Sequence, residues 1–166
     1  MKRLLIALML VSSLVALTVW AVPSRAQAQN PNVQQATVRD VVENIRNARR
    51  EIYVLVPTLK QPDVYNALLE RVRAGVMLRL LIVSERGYLN LERNLAPFKT
   101  VDARWVKERW PGGAAVMVDD RTLVQGSVVS GVSAPGLTNV EITRPELVPL
   151  VGNTLKDMFA RARRIK

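Results

Sequence analysis

The chain has 166 residues, enough for one domain with a sizeable core. It carries 24 Lys and Arg against 14 Asp and Glu, a formal charge of +10, and 49% of it is apolar. Cysteine and histidine are both absent, which excludes a disulfide framework, thiolate catalysis, zinc–thiolate sites and every use of imidazole as base, nucleophile or metal ligand.

Met1-Lys2-Arg3 opens the chain with positive charge, and an apolar run follows from Leu4 to Val22. Beyond it, Ala26-Gln27-Ala28 has the small-x-small form of a signal-peptidase site. The pattern predicts an export leader over residues 1–28, cut before Gln29. The run approaches the roughly 20 residues that span a bilayer, so an uncleaved N-terminal membrane anchor is the alternative. Either reading places the rest of the chain outside the cytoplasm, as a periplasmic or extracellular protein. Without Lys2, Arg3 and Arg25, the remainder keeps a charge of +7. Such a surplus favours polyanionic partners, nucleic acid or anionic lipid headgroups, with solubility as the plain alternative.

Residues 29–36 are polar, contain Pro31 and read as a linker. Thr37 then offers an N-cap with Asp40 three residues on, and Val38, Val41, Val42 and Ile45 form one apolar helical stripe. Arg39, Glu43, Arg46 and Arg50 fall on the other face. Glu51–Val56 predicts a buried strand ended by Pro57. A second helix starts near Pro62-Asp63, turns Val64, Ala67, Leu68 and Val72 inward, and stops at Gly75. Val76–Val83 is the next strand, with Arg79 its one charge, and a short helix covers Leu89 to Leu95 before Pro97. Further strands are expected over Val101–Val106, Ala114–Val118, Thr122–Gln125 and Asn139–Ile142. A closing helix runs from Pro145 to about Arg164, with a basic end. Helix and strand alternation followed by short strands predicts an α/β sandwich with a mixed sheet.

Within this pattern, Asp119 is followed after six residues by Gly126-Ser127, and Asn139-Val140-Glu141 stands further on. Upstream, Ala67-Leu68 and Arg73 to Leu81 contain a helix that ends at a glycine before a strand. Together these resemble the phospholipase D superfamily, whose signature is His-x-Lys, four residues, Asp, six residues, Gly-Ser, and a later Asn-x-Glu. The resemblance covers residues 37–166 and implies a phospholipase D-like sandwich, a mixed β-sheet flanked by helices. In size it points to small secreted bacterial members, including an endonuclease, which pair two single-motif chains into one active site. Counting back from Asp119 puts the family histidine at Gly112 and the lysine at Ala114, and Ser130 stands where an asparagine is usual. The resemblance implies a histidine nucleophile on phosphorus, a second histidine as acid, and lysines on the non-bridging oxygens. Glycine and alanine supply none of this, and a second copy of this chain adds no histidine.

The remnants Asp119, Ser127, Asn139 and Glu141 each carry two readings. Asp119 orients a site group, or starts a turn with Asp120. Ser127 donates to a phosphate, or packs at a strand end. Asn139 and Glu141 line a cleft, or bond a neighbouring loop. Gly112-Gly113 is a flexible loop or, less in keeping with its context, an amide nest. Neighbouring carboxylates on a strand point to opposite faces, so no metal site is expected, and no cofactor is implied.

Arg104, Trp105, Lys107, Arg109 and Trp110 interleave cations with aromatic rings, as in sites that stack bases beside phosphate contacts. Simple packing of the tryptophans is the alternative. Lys156, Arg161, Arg163, Arg164 and Lys166 crowd the tail, either contacting a polyanion or complementing a helix end. The leading expectation is an exported, catalytically degenerate domain that binds nucleic acid or another polyanion. The alternatives are a structural partner, as a homodimer or paired with an active relative, and a divergent phosphodiesterase with an unassigned nucleophile. Anionic-membrane association through an uncleaved leader is a variant of the first.

Overall fold

The structure is a computed structural model that describes residues 33–83, 91–107, 113–132, 139–142 and 146–165, with Val33 and Glu92 described by their backbone alone. Eight strands form one mixed sheet: β1 (Val33–Gln35), β2 (Glu51–Val56), β3 (Met77–Val83), β4 (Val101–Val106), β5 (Ala115–Val118), β6 (Thr122–Gln125), β7 (Val140–Ile142) and β8 (Arg163–Arg164). Their order is β1-β7-β6-β5-β2-β3-β4-β8. The pairs β2–β3 and β3–β4 are parallel, and the remaining pairs are antiparallel.

Both faces are covered, which is why the central strands read as nearly continuous apolar runs. Ile52, Val54 and Val56 of β2 and Leu78, Leu80 and Ile82 of β3 pack on one side with α1 (Val38–Arg46) and α2 (Pro62–Arg73). Leu55, Leu81 and Met117 face the other side, against Val148, Leu155, Met158 and Phe159 of α4 (Val148–Arg161). A one-turn helix, α3 (Ser127–Ser130), adds Val129 to the first core. Among the described residues, no helix is long and apolar enough to cross a membrane.

Local signals account for the helix ends. Thr37 and Asp40 form a reciprocal capping box on α1, with Asp40 Oδ2 2.7 Å from the Thr37 backbone nitrogen. The expected stripe of α1 faces inward, with Val41 and Ile45 buried and Val38 and Val42 half-buried against the core. At the end of α2, Gly75 N–H donates to Val72 and Val76 N–H to Arg71, the bond pair of a Schellman stop.

Three expectations need correction. The linker expected over residues 29–36 contains β1, which pairs with the open edge of β7. A three-residue strand of mixed polarity has no periodic pattern to announce it. The short helix expected from Leu89 is a 3-10 turn over Leu91–Asn94, and residues 89 and 90 lie outside the described residues. The closing helix stops at Arg161 rather than Arg164. Ala162 turns extended (ψ 151°), and Arg163–Arg164 pair with β4, followed by Ile165, whose N–H donates to Ala103 at 2.9 Å. Edge pairing and the packing of Ile165 on the helix-side core outweigh further helical turns. The expected starts at Pro145 and the residues Arg109, Trp110, Gly112 and Lys166 lie outside the described residues.

The turn after α3 brings two backbone segments close together. Gly131 has φ +73°, and a Cβ there would sit 3.0 Å from Gln61 N and 3.2 Å from the Lys60 carbonyl carbon. Lys60 N–H donates to Ser130 O at 2.7 Å, so the two segments have no room to part. Gly131→Ala is expected to destabilise by about 2 kcal/mol through strained φ and this contact, read by urea unfolding. Unchanged stability would show that the junction is slack.

Candidate functional site

The two basic stretches of the sequence, some sixty residues apart, meet at one edge of the sheet. The β4–β8 register sets Trp105 opposite Arg163 and Arg104 opposite Arg164. Beyond this pairing lies an open groove of about 270 Å³ lined by Trp105, Val106, Lys107, Arg161, Ala162 and Arg163. Lys107, Arg161 and Arg163 are exposed, and among the described residues no carboxylate lines the groove. Trp105 is half-buried: it packs against the helix-side core while also lining the groove. Arg161 Nε also donates to Asp157 O at 3.4 Å, and the three cations gathered at the groove make a positive potential that favours an anion.

The other predicted cations are held elsewhere. Arg104 NH2 lies 2.9 Å from Asp102 Oδ2, NH1 donates to the carbonyls of Phe159 and Ala160 at 3.1 and 3.2 Å, and the guanidinium lies 4.4 Å from the Phe159 ring centroid. Asp102 also takes Arg164 at 3.4 Å and Arg79 at 3.9 Å. The Arg104 hydrogen bond holds the Asp102 carboxyl below its usual range, against the opposing effect of burial. This hub fastens α4 and β8 to β4 and so builds the groove from beneath. Lys156 sits on α4, away from the tail, with Nζ 2.7 Å from Asp120 and 5.7 Å from the Tyr53 ring centroid.

Of the motif remnants, Ser127 and Asn139 lie at the same end of the strands as the groove, four to five strand steps from β4, about 19–24 Å, whereas Asp119 lies at the opposite end. Asp119 and Asp120 both have positive φ, 50° and 60°, in a turn closed by Arg121 N–H to Val118 O at 2.9 Å. That turn is at the far end of β5. The Asp119 carboxylate points back into the fold and accepts three backbone N–H groups: Arg49 at 2.8 Å, Arg50 at 2.9 Å and Glu51 at 3.0 Å. Burial pushes its pKa up, but these bonds and the Arg50 charge more than offset that and hold it below the ordinary value. Asp120 turns out to Lys156, so the two carboxylates diverge. Among the described residues no group of three His, Cys, Asp or Glu side chains could hold a metal.

At the near end of β5, Ala114 is fully buried in the helix-side core, and its carbonyl accepts Gly126 N–H at 2.9 Å. Gly126 has φ 126°, a geometry that demands glycine, and so starts α3 at a sharp corner. Ser127 Oγ–H and Val128 N–H both donate to Asn139 Oδ1 at 3.1 Å, so Asn139 caps the helix from the chain just before β7. Glu141 Oε1 accepts from Asn44 Nδ2 at 2.8 Å and ties β7 to α1. Ser130 is buried, and its Oγ accepts Val132 N–H at 3.2 Å. Each remnant among these has a partner within the fold. The amide partners of Asp119 were invisible in the sequence, because backbone donors leave no residue signature.

Asp119→Ala is expected to cost about 3 kcal/mol near pH 7, since it leaves three enclosed amides without an acceptor. Asp119→Asn, which turns an amide donor toward them, is expected to recover only part. Because the folded pKa is lowered, this contribution is complete above the unfolded value, about 3.9, and is lost as pH falls through the folded one. Urea unfolding should therefore show a constant gap between wild type and Asp119→Ala from pH 7 to 5 that narrows only in more acid solution. A variant as stable as wild type would refute the role.

No protein-family model matches the sequence, and no curated protein is similar to it. Solved structures are similar in fold. NucT from Helicobacter pylori superposes with a TM-score of 0.64 at 13% identity, over 77% of this chain and 90% of that one. The phospholipase D family member Nuc from Salmonella typhimurium gives 0.60 at 18% identity, over 81% and 97%. TrmBL2, an archaeal chromatin protein described with a novel mode of DNA binding, gives 0.60 at 13% identity, over 99% of this chain and 64% of that one. The mixed eight-stranded sheet with helices on both faces thus has the phospholipase D-like fold of these structures.

Proposed function

We propose that this chain is an exported, non-catalytic phospholipase D-like domain that binds nucleic acid through the groove between β4 and β8. The observation that carries the reading is the convergence of Lys107, Arg161 and Arg163 beside Trp105 with no acid among them. A phosphodiester backbone supplies anions at a regular spacing for such a strip of cations, and the exposed part of an indole offers a face for an unstacked base. The DNA binding described for TrmBL2, about two thirds of which is similar in fold to this chain, supports this reading.

The absence of catalysis rests on composition and on the motif positions. With no histidine anywhere, the covalent phosphoenzyme of the family mechanism has no nucleophile and no acid. Ala114, at the position of the family lysine, carries no functional group and lies in the core. Ser127, Asn139 and Glu141 serve helix capping and strand anchoring. Export rests on the apolar leader over residues 1–28 and its Ala-x-Ala ending.

The test is DNA binding over a salt series, with single- and double-stranded oligonucleotides and anionic vesicles in parallel. Binding to DNA should weaken steeply as salt rises. Lys107→Glu/Arg163→Glu should weaken it at least about tenfold and reduce the salt slope for two lost phosphate contacts by about 1.8 on duplex and about 1.4 on single strands. A variant with the wild-type slope would remove the groove from the reading. No binding by the wild type at low salt would leave the pairing of this chain with itself or an active relative as the better account.

A further inference from the structure

At the opposite end of the parallel strands, displaced about 20 Å along the strand direction for a six-residue strand and lying sideways toward β5, is a polar cleft of about 480 Å³. Four arginines from separate parts of the chain line it: Arg46 from the last turn of α1, Arg49 from the α1–β2 loop, Arg71 from the last turn of α2, and Arg121 from the β5–β6 turn. Asp119 is the one acid among the lining residues, and its oxygens are turned to the three backbone N–H groups described above.

Structural duties account for only part of this charge. The carbonyl ends of α1 and α2 both point here, and each is complemented by about half a positive charge. Arg71 meets that need by donating NH2 to Ala48 O at 2.7 Å, and Arg46 pairs with Glu70 at 3.3 Å on the rim. Arg49 and Arg121 are exposed, and neither side chain has an ion-pair partner among the described residues. Arg71 Nε is buried and has no hydrogen-bond partner among the described residues, a donor open to an outside acceptor. A guanidinium with NH2 fixed on a carbonyl and Nε open is already oriented, so an arriving oxyanion meets a prepared donor.

We infer that this cleft is a second anion site, taking a phosphate-type oxyanion of two or more charges. It does not depend on the groove or on the nucleic-acid reading, because it shares no lining residue with it. Tetrahedral phosphate suits several guanidinium forks at once, and the open polar walls suit a hydrated, highly charged ligand over an apolar one. The ligand's source is either a free phosphate compound or the backbone of a nucleic acid reaching around the domain.

Calorimetric titration of the full chain with inorganic pyrophosphate, alongside phosphate and chloride, tests the site. Pyrophosphate should bind more tightly than phosphate, with no competition from equimolar chloride. Arg49→Gln/Arg121→Gln should weaken pyrophosphate at least about tenfold, since two charge-assisted contacts are lost. Both side chains are exposed, so the melting temperature should be unchanged. Arg71→Lys, which keeps the charge and can still reach Ala48 O but lacks Nε, should weaken pyrophosphate several-fold. Equal binding by wild type and the double variant, or no binding by the wild type, would overturn the assignment. The source is read in the Lys107→Glu/Arg163→Glu background, which removes the groove from the competition. Displacement of pyrophosphate by a single-stranded oligonucleotide would assign the site to backbone phosphate, and its absence to a free phosphate compound. Either outcome keeps the site, and failure of the groove variant leaves this titration unaffected.

Discussion

Asp119 sits where the two halves of the fold meet, at the far end of the hairpin β5–β6 and directly opposite the entry to the central strand β2. Three amides leaving α1 converge on its carboxylate, so the path of the chain from the first helix into the sheet is fixed by one side chain. The alignment of β2 against β5, and thereby of β3 and β4 against β2, follows from that anchor. A carboxylate that accepts three N–H bonds in a nearly closed setting is among the strongest local constraints available to a small domain without disulfides. The same anchor turns the acid away from solvent and leaves the surrounding arginines to dominate the potential at that end of the sheet.

Much of the architecture was legible from the chain. The inward set of α2, Val64, Ala67, Leu68 and Val72, follows from helical spacing, and all four are buried. The Thr37–Asp40 capping box and the stop at Gly75 follow from local chemistry. The runs at Glu51–Val56 and Val76–Val83 belong to strands covered on both faces, and their nearly continuous hydrophobicity, broken by Arg79, says so. The elements that escaped are those set by pairing rather than pattern. β1 and β8 are three and two residues long, and each exists because a neighbouring strand edge offers unpaired backbone groups. Arg163-Arg164 read as a charged helix end, whereas their backbone completes the sheet and their side chains lie along its rim.

The candidate site was legible in its residue types but not in its grouping. Sequence placed Arg104 with Trp105 and Lys107, yet strand alternation sends Arg104 to the α4 side, where Asp102 and the Phe159 ring hold it. Lys156, grouped with the tail on sequence, is bound on the face of the sheet by Asp120. What remains at the groove is a smaller set, Lys107, Arg161 and Arg163, drawn from both predicted stretches. Net charge alone does not separate cations that hold the fold from cations that face outward. Here Arg79, Arg104 and Lys156 do the former, while Lys107, Arg163, Arg49 and Arg121 face solvent. The cleft that gathers Arg46, Arg49, Arg71 and Arg121 had no sequence signal, because its members are scattered over 76 positions and meet only through topology.

As proposed, the domain holds a phosphodiester strand and has no histidine chemistry with which to cut it. One measurement addresses both: an end-labelled single-stranded oligonucleotide is held at saturating protein and low salt, and the bound fraction and strand length are followed together over hours. The account predicts a strand that is bound throughout and recovered at full length, with no covalent protein–nucleic acid adduct. Progressive shortening of the strand, or an adduct trapped on denaturation, would contradict it and require a nucleophile other than histidine.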